Sequence, residues 1–228
     1  MTTIKNNLEK INGRIYRAAR KVGREPEEIR LVAVSKRVPI DLINEACIHG
    51  QKLFGENYPQ EAVDKISRME SEIKWHFIGH LQSNKASMVA GAFDVVETVD
   101  RLKIAMGLNK FMQENGKILP VLVQVNIGRE TQKSGVLPEE AWELSQELLK
   151  LKNLQVRGLM VMPPFLPDPE AVRPFFKQTR GLALTLQDMG VFGDRSPELS
   201  MGMSGDYEVA IEEGATLVRV GTALFGRR

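Results

Sequence analysis

Lys36 closes a short apolar run, Leu31 to Lys36, with the sequence LVAVSK. A neutral lysine amine is a nucleophile that condenses with carbonyl compounds. Late in the chain, two stretches carry residues suited to holding an anion. Ser200-Met201-Gly202-Met203-Ser204-Gly205-Asp206 offers two hydroxyls among glycines, and Arg219-Val220-Gly221-Thr222 adds a guanidinium and a third hydroxyl. Glycine lets backbone N–H groups approach a ligand with no side chain in the way. Ser204 is placed to begin a short helix, whose free amides and dipole favour negative charge. Each feature also has a plainer explanation. The Lys36 amine could simply reach solvent, and Ser204 could only cap a helix after a tight turn. Arg219, inside an apolar strand, needs a polar partner that is either a structural carboxylate or a ligand.

The elements that must position these residues follow from hydrophobic periodicity. LVAVSK is β-branched and lacks alternation, as in a strand buried on both faces. Further strands are expected at Leu53–Phe54, Trp75–Ile78, Phe93–Val96, Leu119–Val125, Val156–Met160, Glu198–Met201 and Leu217–Val220. Helical patterns separate them, over about 40–50, 59–69, 84–90, 101–115, 138–151, 171–189 and 204–213. In the 59–69 helix, Ala62, Val63 and Ile66 are expected to face inward. An additional helix over 3–21 precedes the first strand, with Ile4, Leu8, Ile11, Ile15 and Ala18 on one face. It would cover one end or flank of the sheet. Its apolar face is modest and lacks Trp and Phe, which argues against a membrane-surface role. Eight strands alternating with helices in one chain of this size predict a single (β/α)8 barrel spanning residues 1–228. A doubly wound open sheet is the competing fold. It would more naturally place a glycine-rich turn after its first strand, where this chain has SKRVP.

If the barrel closes, the first and eighth strands adjoin. Lys36 then faces an anion held above strands seven and eight, the usual phosphate site of such barrels. An amine opposite a phosphate cradle suits an aldehyde cofactor bearing a phosphate, a description that pyridoxal 5′-phosphate (PLP) fits. A phosphosugar aldolase working through a lysine Schiff base is the physical alternative. Such an enzyme more often needs another acid or base beside the reacting carbon. Asn57 and His80 leave the second and third strands on the same side. Asn57 would either hydrogen-bond a ring hydroxyl or carboxylate, or cap a turn. His80 would either line the mouth or satisfy local backbone groups. His76 reads as a packed polar residue, and His49 lies near a helix end. The three histidines show no ligand spacing, so no metal is inferred. Trp75, Trp142 and Cys47 read as packing residues. Lys133 would be exposed or would contact an anion. The proline-rich stretch from Met160 to Pro169 would form a wall or a partner surface.

Composition narrows the class. The chain has 228 residues, 43% hydrophobic and 26% charged, with a net charge of +2. That charge is too small to suggest a nucleic-acid partner, and Arg227 and Arg228 make only a small basic terminus. The start, MTTIKNNLEK, has no apolar signal run, and no stretch reaches the length of a membrane span. A single cysteine excludes an intramolecular disulfide and fits a reducing, cytoplasmic setting.

The stretches LVAVSK at 31–36, FGENYPQE at 54–61, WHFIGHLQSNK at 75–85, VLVQVNIGRETQKSG at 121–135, LSMGMSGDYEVAI at 199–211 and VRVGTALFG at 218–226 span nearly the whole chain. Together they closely resemble the pyridoxal phosphate homeostasis protein family, also called the YggS/PROSC family. The resemblance implies a single barrel similar to that of alanine racemases. It implies Lys36 as the lysine holding PLP as a Schiff base, with Asn57 near the ring. It also implies Ser204, Gly221 and Thr222 around the phosphate, with Ser200 a weaker candidate, and Arg219 at the pyridine nitrogen. His80 is a further candidate contact. A guanidinium there disfavours protonation of the ring nitrogen, and the ring becomes a weaker electron sink. Alanine-racemase-like enzymes carry a second, β-rich domain that helps supply an opposing acid/base. The chain stops soon after its eighth strand, so the resemblance points away from full racemase chemistry. The expected function is reversible PLP binding in vitamin B6 homeostasis, with delivery to PLP-dependent apoenzymes and no robust catalysis. A weak racemase-like or other amino-acid activity is the alternative. The chain is expected to be a monomer, with a weak dimer as the other option.

Overall fold

The computed structural model describes residues 3–69 and 72–226. Arg227 and Arg228, read above as a small basic terminus, lie outside the described residues. Eight strands close into one parallel barrel in sequence order: β1 (Arg30–Val34), β2 (Leu53–Glu56), β3 (Lys74–Phe77), β4 (Val95–Val99), β5 (Leu119–Val125), β6 (Leu154–Val161), β7 (Glu198–Met203) and β8 (Leu217–Val220). Closure pairs β1 with β8, with Val32 opposite Arg219. This removes the open-sheet alternative and makes the lysine end of β1 a neighbour of the late loops.

The helices are α1 (Ile4–Lys21), α2 (Ile40–Ile48), α3 (Pro59–Arg68), α4 (Ala86–Ala92), α5 (Leu102–Glu114), α6 (Ala141–Leu149), α7 (Arg173–Asp188), α8 (Tyr207–Glu212) and α9 (Thr222–Phe225). The apolar stripe of α1 is buried as its spacing predicts, from Ile4 through Leu8, Ile11 and Ile15 to Ala18. Each of its larger side chains contributes about 1.5–3 kcal/mol relative to exposure. Thr3 caps its start by accepting the Asn6 N–H at 3.3 Å. The helix lies against α2, α8 and α9 on the outside of the barrel. Among the described residues, no helix is long and apolar enough to cross a membrane.

The core has two parts. The larger fills the space between sheet and helices and contains Ala33, Phe54, Trp75 and Phe77. The smaller fills the barrel interior with Val32, Leu122, Met160 and Leu217. Trp75 stacks on Phe54, and Trp142 packs against the outer core, as expected of packing residues. Cys47 is also partly buried against that core, and burial pushes its thiol pKa up.

Four local expectations are corrected. The fourth strand runs from Val95 to Val99 instead of Phe93 to Val96, because Phe93 turns outward into an edge contact with Phe77. On α3, Val63 is exposed and Lys65 is buried, because ion pairs draw the lysine inward. Ser204 does not start a helix. It lies in a turn, and α8 begins three residues later, behind Asp206. The eighth strand is followed by the short α9, with Gly221 at its cap position.

Candidate cofactor site

A cavity of about 460 Å³ opens at the carboxyl ends of the strands. Lys36, Asn57, Ser204, Arg219, Gly221 and Thr222 all line it. Six of the eight residues singled out from sequence therefore converge on one space. Lys36 follows the end of β1 by two residues and is partly buried. The expected proline-rich wall is present as Met162, Phe165, Leu166 and Pro167.

Asn57 follows β2 directly and is not a helix cap, since Tyr58 takes that position for α3. Its Oδ1 is buried and has no hydrogen-bond partner. A buried acceptor without a donor is rare, and this one belongs to a residue that lines a ligand-sized space. Gly79 explains how Asn57 is held. A Cβ at Gly79 would fall 2.1 Å from the Asn57 carbonyl oxygen, so only glycine admits this close approach of the two loops.

On the opposite side, Ser204 faces the start of α9. The Ala223 N–H points at its Oγ from 3.5 Å. The first amides of a helix have no acceptor within it, so this corner presents donors to an anion. Gly202 makes the turn possible. It holds φ at +91°, and a Cβ there would meet the Ala210 Cβ at 2.6 Å. The register between β7 and β8 shifts between Ser200 and Met203, which brings Met203 into the cavity lining. Asp206 sits beside this turn and accepts the Met203 N–H at 2.6 Å. Burial raises its carboxyl pKa, against the opposing pull of that bond and of Arg219.

Arg219 is buried at 4% exposure and reaches the cavity from inside the barrel. Its Nη1 donates to Ser200 Oγ at 2.6 Å and its Nη2 to the Val161 carbonyl at 2.7 Å. Ser200 Oγ also lies 2.5 Å from Glu97 Oε2, and His76 Nδ1 lies 2.6 Å from Glu97 Oε1. A polar chain thus crosses the barrel interior from β3 through β4 and β7 to β8. Burial opposes charge on Glu97. The hydrogen bond and charge of His76, with Arg219 and Ser200, still hold its carboxyl below the usual carboxylate range. Burial pulls the Arg219 guanidinium below its ordinary value, and Glu97 and Asp206 pull it back.

Two of the expected contact residues stand outside the cavity lining. Ser200 does not line the cavity, because its hydroxyl is occupied between Glu97 and Arg219; it positions Arg219 instead. His80 does not line it either. Its exposed ring is held at 2.8 Å from Ser134 Oγ. Lys133 is partly buried and donates to the Met162 and Pro163 carbonyls at 3.2 and 2.8 Å, which braces the cavity wall. Glu97 escaped the sequence reading. Its signal was a carboxylate beside valines in VVETV, hidden by placing the fourth strand two residues early.

The residues fit a phosphorylated aldehyde. They supply a primary amine, a donor-rich corner, a guanidinium and an orphaned amide oxygen around one space. The barrel and the amine define the class of lysine-bearing barrels of the alanine racemase type. Residues 6–228 match the family described as "Alanine racemase, N-terminal domain". An alanine racemase of Clostridium difficile 630 shares the fold, with a TM-score of 0.77 at 16% identity over 99% of this chain and 57% of that one. Nearer relatives narrow the class. The chain is 45% identical to the pyridoxal phosphate homeostasis protein of Vibrio alginolyticus and 44% identical to that of Escherichia coli K12. It is covered completely in both comparisons, as are 99% and 98% of those proteins. PipY of Synechococcus elongatus PCC7942, solved with PLP bound, superposes with a TM-score of 0.85 at 34% identity, over 98% of this chain and all of PipY. The chain belongs to the pyridoxal phosphate homeostasis protein family.

Proposed function

We propose that this protein binds PLP reversibly and covalently through Lys36 and thereby buffers the free cofactor in vitamin B6 homeostasis. One observation carries the reading: Lys36 opens into the same cavity as Ser204, Gly221 and Thr222, with Arg219 at its inner wall. PLP supplies an aldehyde that condenses with a primary amine, a ring nitrogen and a phosphate. Lys36 Nζ provides the amine. Ser204 Oγ and the amides at the start of α9 hold the phosphate. Asn57 would offer its amide to the ring substituents, and Arg219 would hold the ring nitrogen. Arg219 is a hydrogen-bond donor whose charge opposes protonation of that nitrogen, which supports holding the cofactor over driving carbanion chemistry. Apart from Lys36 and Arg219, Asp206 is the one ionisable residue among the described residues lining the cavity, and it is engaged by the Met203 amide. The protein accordingly acts as a carrier without robust catalysis. It works in the cytoplasm as a monomer and releases PLP to apoenzymes.

Borohydride reduction of the protein incubated with PLP, followed by peptide mapping, tests the central claim. The expected product is a phosphopyridoxyl group on Lys36. Folded protein with no adduct at Lys36 overturns the reading. Amino-acid turnover that depends on Lys36 at matched cofactor occupancy would replace the carrier with an enzyme.

A further inference from the structure

Directly behind Lys36, on the outer side of the sheet, lies a second buried ionic cluster. Lys65 of α3 is 5% exposed. Its ammonium donates to the Ser35 carbonyl at 2.7 Å, to Glu56 Oε1 at 2.8 Å and to Glu61 Oε1 at 2.6 Å. Ser35 Oγ donates to the same Glu56 oxygen at 2.8 Å. Glu61 Oε1 also accepts the Arg37 N–H at 2.5 Å. The Ser35 carbonyl belongs to the peptide group before Lys36, and the Arg37 N–H to the peptide group after it. One ion pair, reaching across from α3, therefore grips both peptide groups of the candidate nucleophile. Arg37 holds φ at +57°, a left-handed conformation that non-glycine residues rarely adopt. The Val38 N–H closes the turn onto the Ser35 carbonyl at 2.9 Å, and the Glu61 contact adds a side-chain hold on the Arg37 amide within it.

Stability alone gives little reason to bury this lysine. Taking an ammonium out of water is unfavourable, and apolar residues of similar size often replace buried ion pairs without loss. The position on α3 faces the outer core, where an apolar side chain would fit the pattern set by Ala62. The charge has a different use: its three N–H groups end on the two strands and the helix that meet at the Lys36 turn.

Resting on the PLP reading above, we infer that Lys65, with Glu56 and Glu61, is a positioning residue that aims the Lys36 amine at the bound aldehyde. Condensation joins the amine nitrogen to the aldehyde carbon as C=N and expels the aldehyde oxygen as water, with no oxidation or reduction. The clamp takes no part in that exchange of atoms. It restricts the backbone from which the amine reaches, so its loss weakens covalent coupling and spares the phosphate cradle.

The test compares two ligands that share ring and phosphate. PLP carries the aldehyde, and pyridoxamine 5′-phosphate does not. In Lys65→Met/Glu56→Gln, which removes both buried charges together, affinity for PLP falls about tenfold or more, the loss expected when charge-assisted hydrogen bonds are broken. Affinity for pyridoxamine 5′-phosphate stays within about twofold of the unaltered protein, since the cradle is intact. The absorption band of the Lys36 adduct falls in parallel with the PLP affinity. Lys65→Arg keeps the charge and restores part of the coupling. Glu61→Gln acts at the partly exposed end of the cluster. It gives a smaller loss in the same direction and decides the matter if the double variant does not fold. Equal losses for both ligands, or unchanged PLP coupling in folded variants, overturn the clamp. Unaltered protein that forms no reducible adduct overturns instead the PLP reading on which the clamp rests.

Discussion

Glu97 and Glu56 are both fully buried carboxylates on neighbouring parts of one barrel, yet their environments drive them in opposite directions. Glu97 lies inside the barrel, and both of its oxygens are engaged, by His76 and by Ser200, with the Arg219 charge nearby. Its pKa is lowered despite burial. Glu56 lies outside the barrel, beneath α3. One of its oxygens meets Lys65 and Ser35, and the other has no partner. Burial raises its pKa; Lys65 and Ser35 offset this in part, and the like charge of Glu61 adds to it. Burial by itself does not set the charge of an interior acid. The count of donors and the sign of the neighbours do. The inner chain keeps Arg219 compensated at the cavity floor, whereas the outer cluster grips the backbone of Lys36.

The largest expected effect separates the two directly. Glu97→Leu strips buried Arg219 of the stronger of its two counter-charges, leaving Asp206, and should cost about 3–5 kcal/mol of stability. Lys65→Met leaves Glu56, which can take up a proton, so the cost should be nearer about 1–3 kcal/mol. Urea unfolding near neutral pH measures both, and equal costs would break the comparison. Next in size is the pair of bridging serines. Ser200→Ala unlinks two charged groups and should lose about 1.5–3 kcal/mol, against about 0.5–1.5 kcal/mol for Ser35→Ala, whose acceptor keeps its lysine. A larger loss at Ser35 would reverse the ranking.

Within the cavity the same logic of burial ranks the cradle hydroxyls. Ser204 is partly buried and Thr222 is exposed. Ser204→Ala should weaken PLP binding by about 1–3 kcal/mol and Thr222→Val by less, as read by titration at constant salt. Equal affinity of the unaltered protein for pyridoxal and PLP would show that neither holds a phosphate.

The smallest effects are those of pH, and their signs are opposite. Glu97 ionises below its ordinary value of 4.5, so the unfolded chain binds more protons in that window. Its stabilisation is complete above 4.5 and is lost as the pH falls through the lowered value. Glu56 ionises above 4.5, so the folded chain binds more protons there. Its contribution is complete below 4.5 and declines as the pH rises through the raised value. Unfolding series from about pH 2 to 7 should show the Glu97→Gln deficit shrinking as the pH falls below 4.5 and the Glu56→Gln deficit shrinking as the pH rises above it, relative to the unaltered protein. Parallel trends would mean that the two carboxylates share one environment.

Much of this molecule was legible in the chain. Unalternated β-branched runs separated by helical stripes announced a closed parallel barrel, and the α1 stripe came out residue for residue. Lys36, Asn57, Ser204, Arg219, Gly221 and Thr222 were each visible because they stand where strands end, and the barrel brings such ends together. Ser200 and His80 lie outside that lining for separate reasons. Ser200 had the right type on the right strand, but its hydroxyl is consumed by Glu97 and Arg219. His80 had the right loop, but the loop turns its ring outward to Ser134. Lys65 and Glu56 were not singled out, because on a helix and a strand they look like ordinary surface charges.

The sequence by itself determined the barrel, the lysine at the end of its first strand, the glycine-bearing turns after the seventh and eighth that line the cavity, and the family. These depend on local pattern: period, glycine placement and residue type at strand ends. Only the tertiary structure decided the partners. His76, Glu97, Ser200 and Arg219 come from four strands, and the Lys36 turn is gripped from a helix about thirty residues away, as is the Ser35 carbonyl by Lys65. Which buried charge meets which is fixed by barrel closure, strand register and helix rotation. Those depend on the summed packing of the whole chain, and no short stretch of residues encodes them.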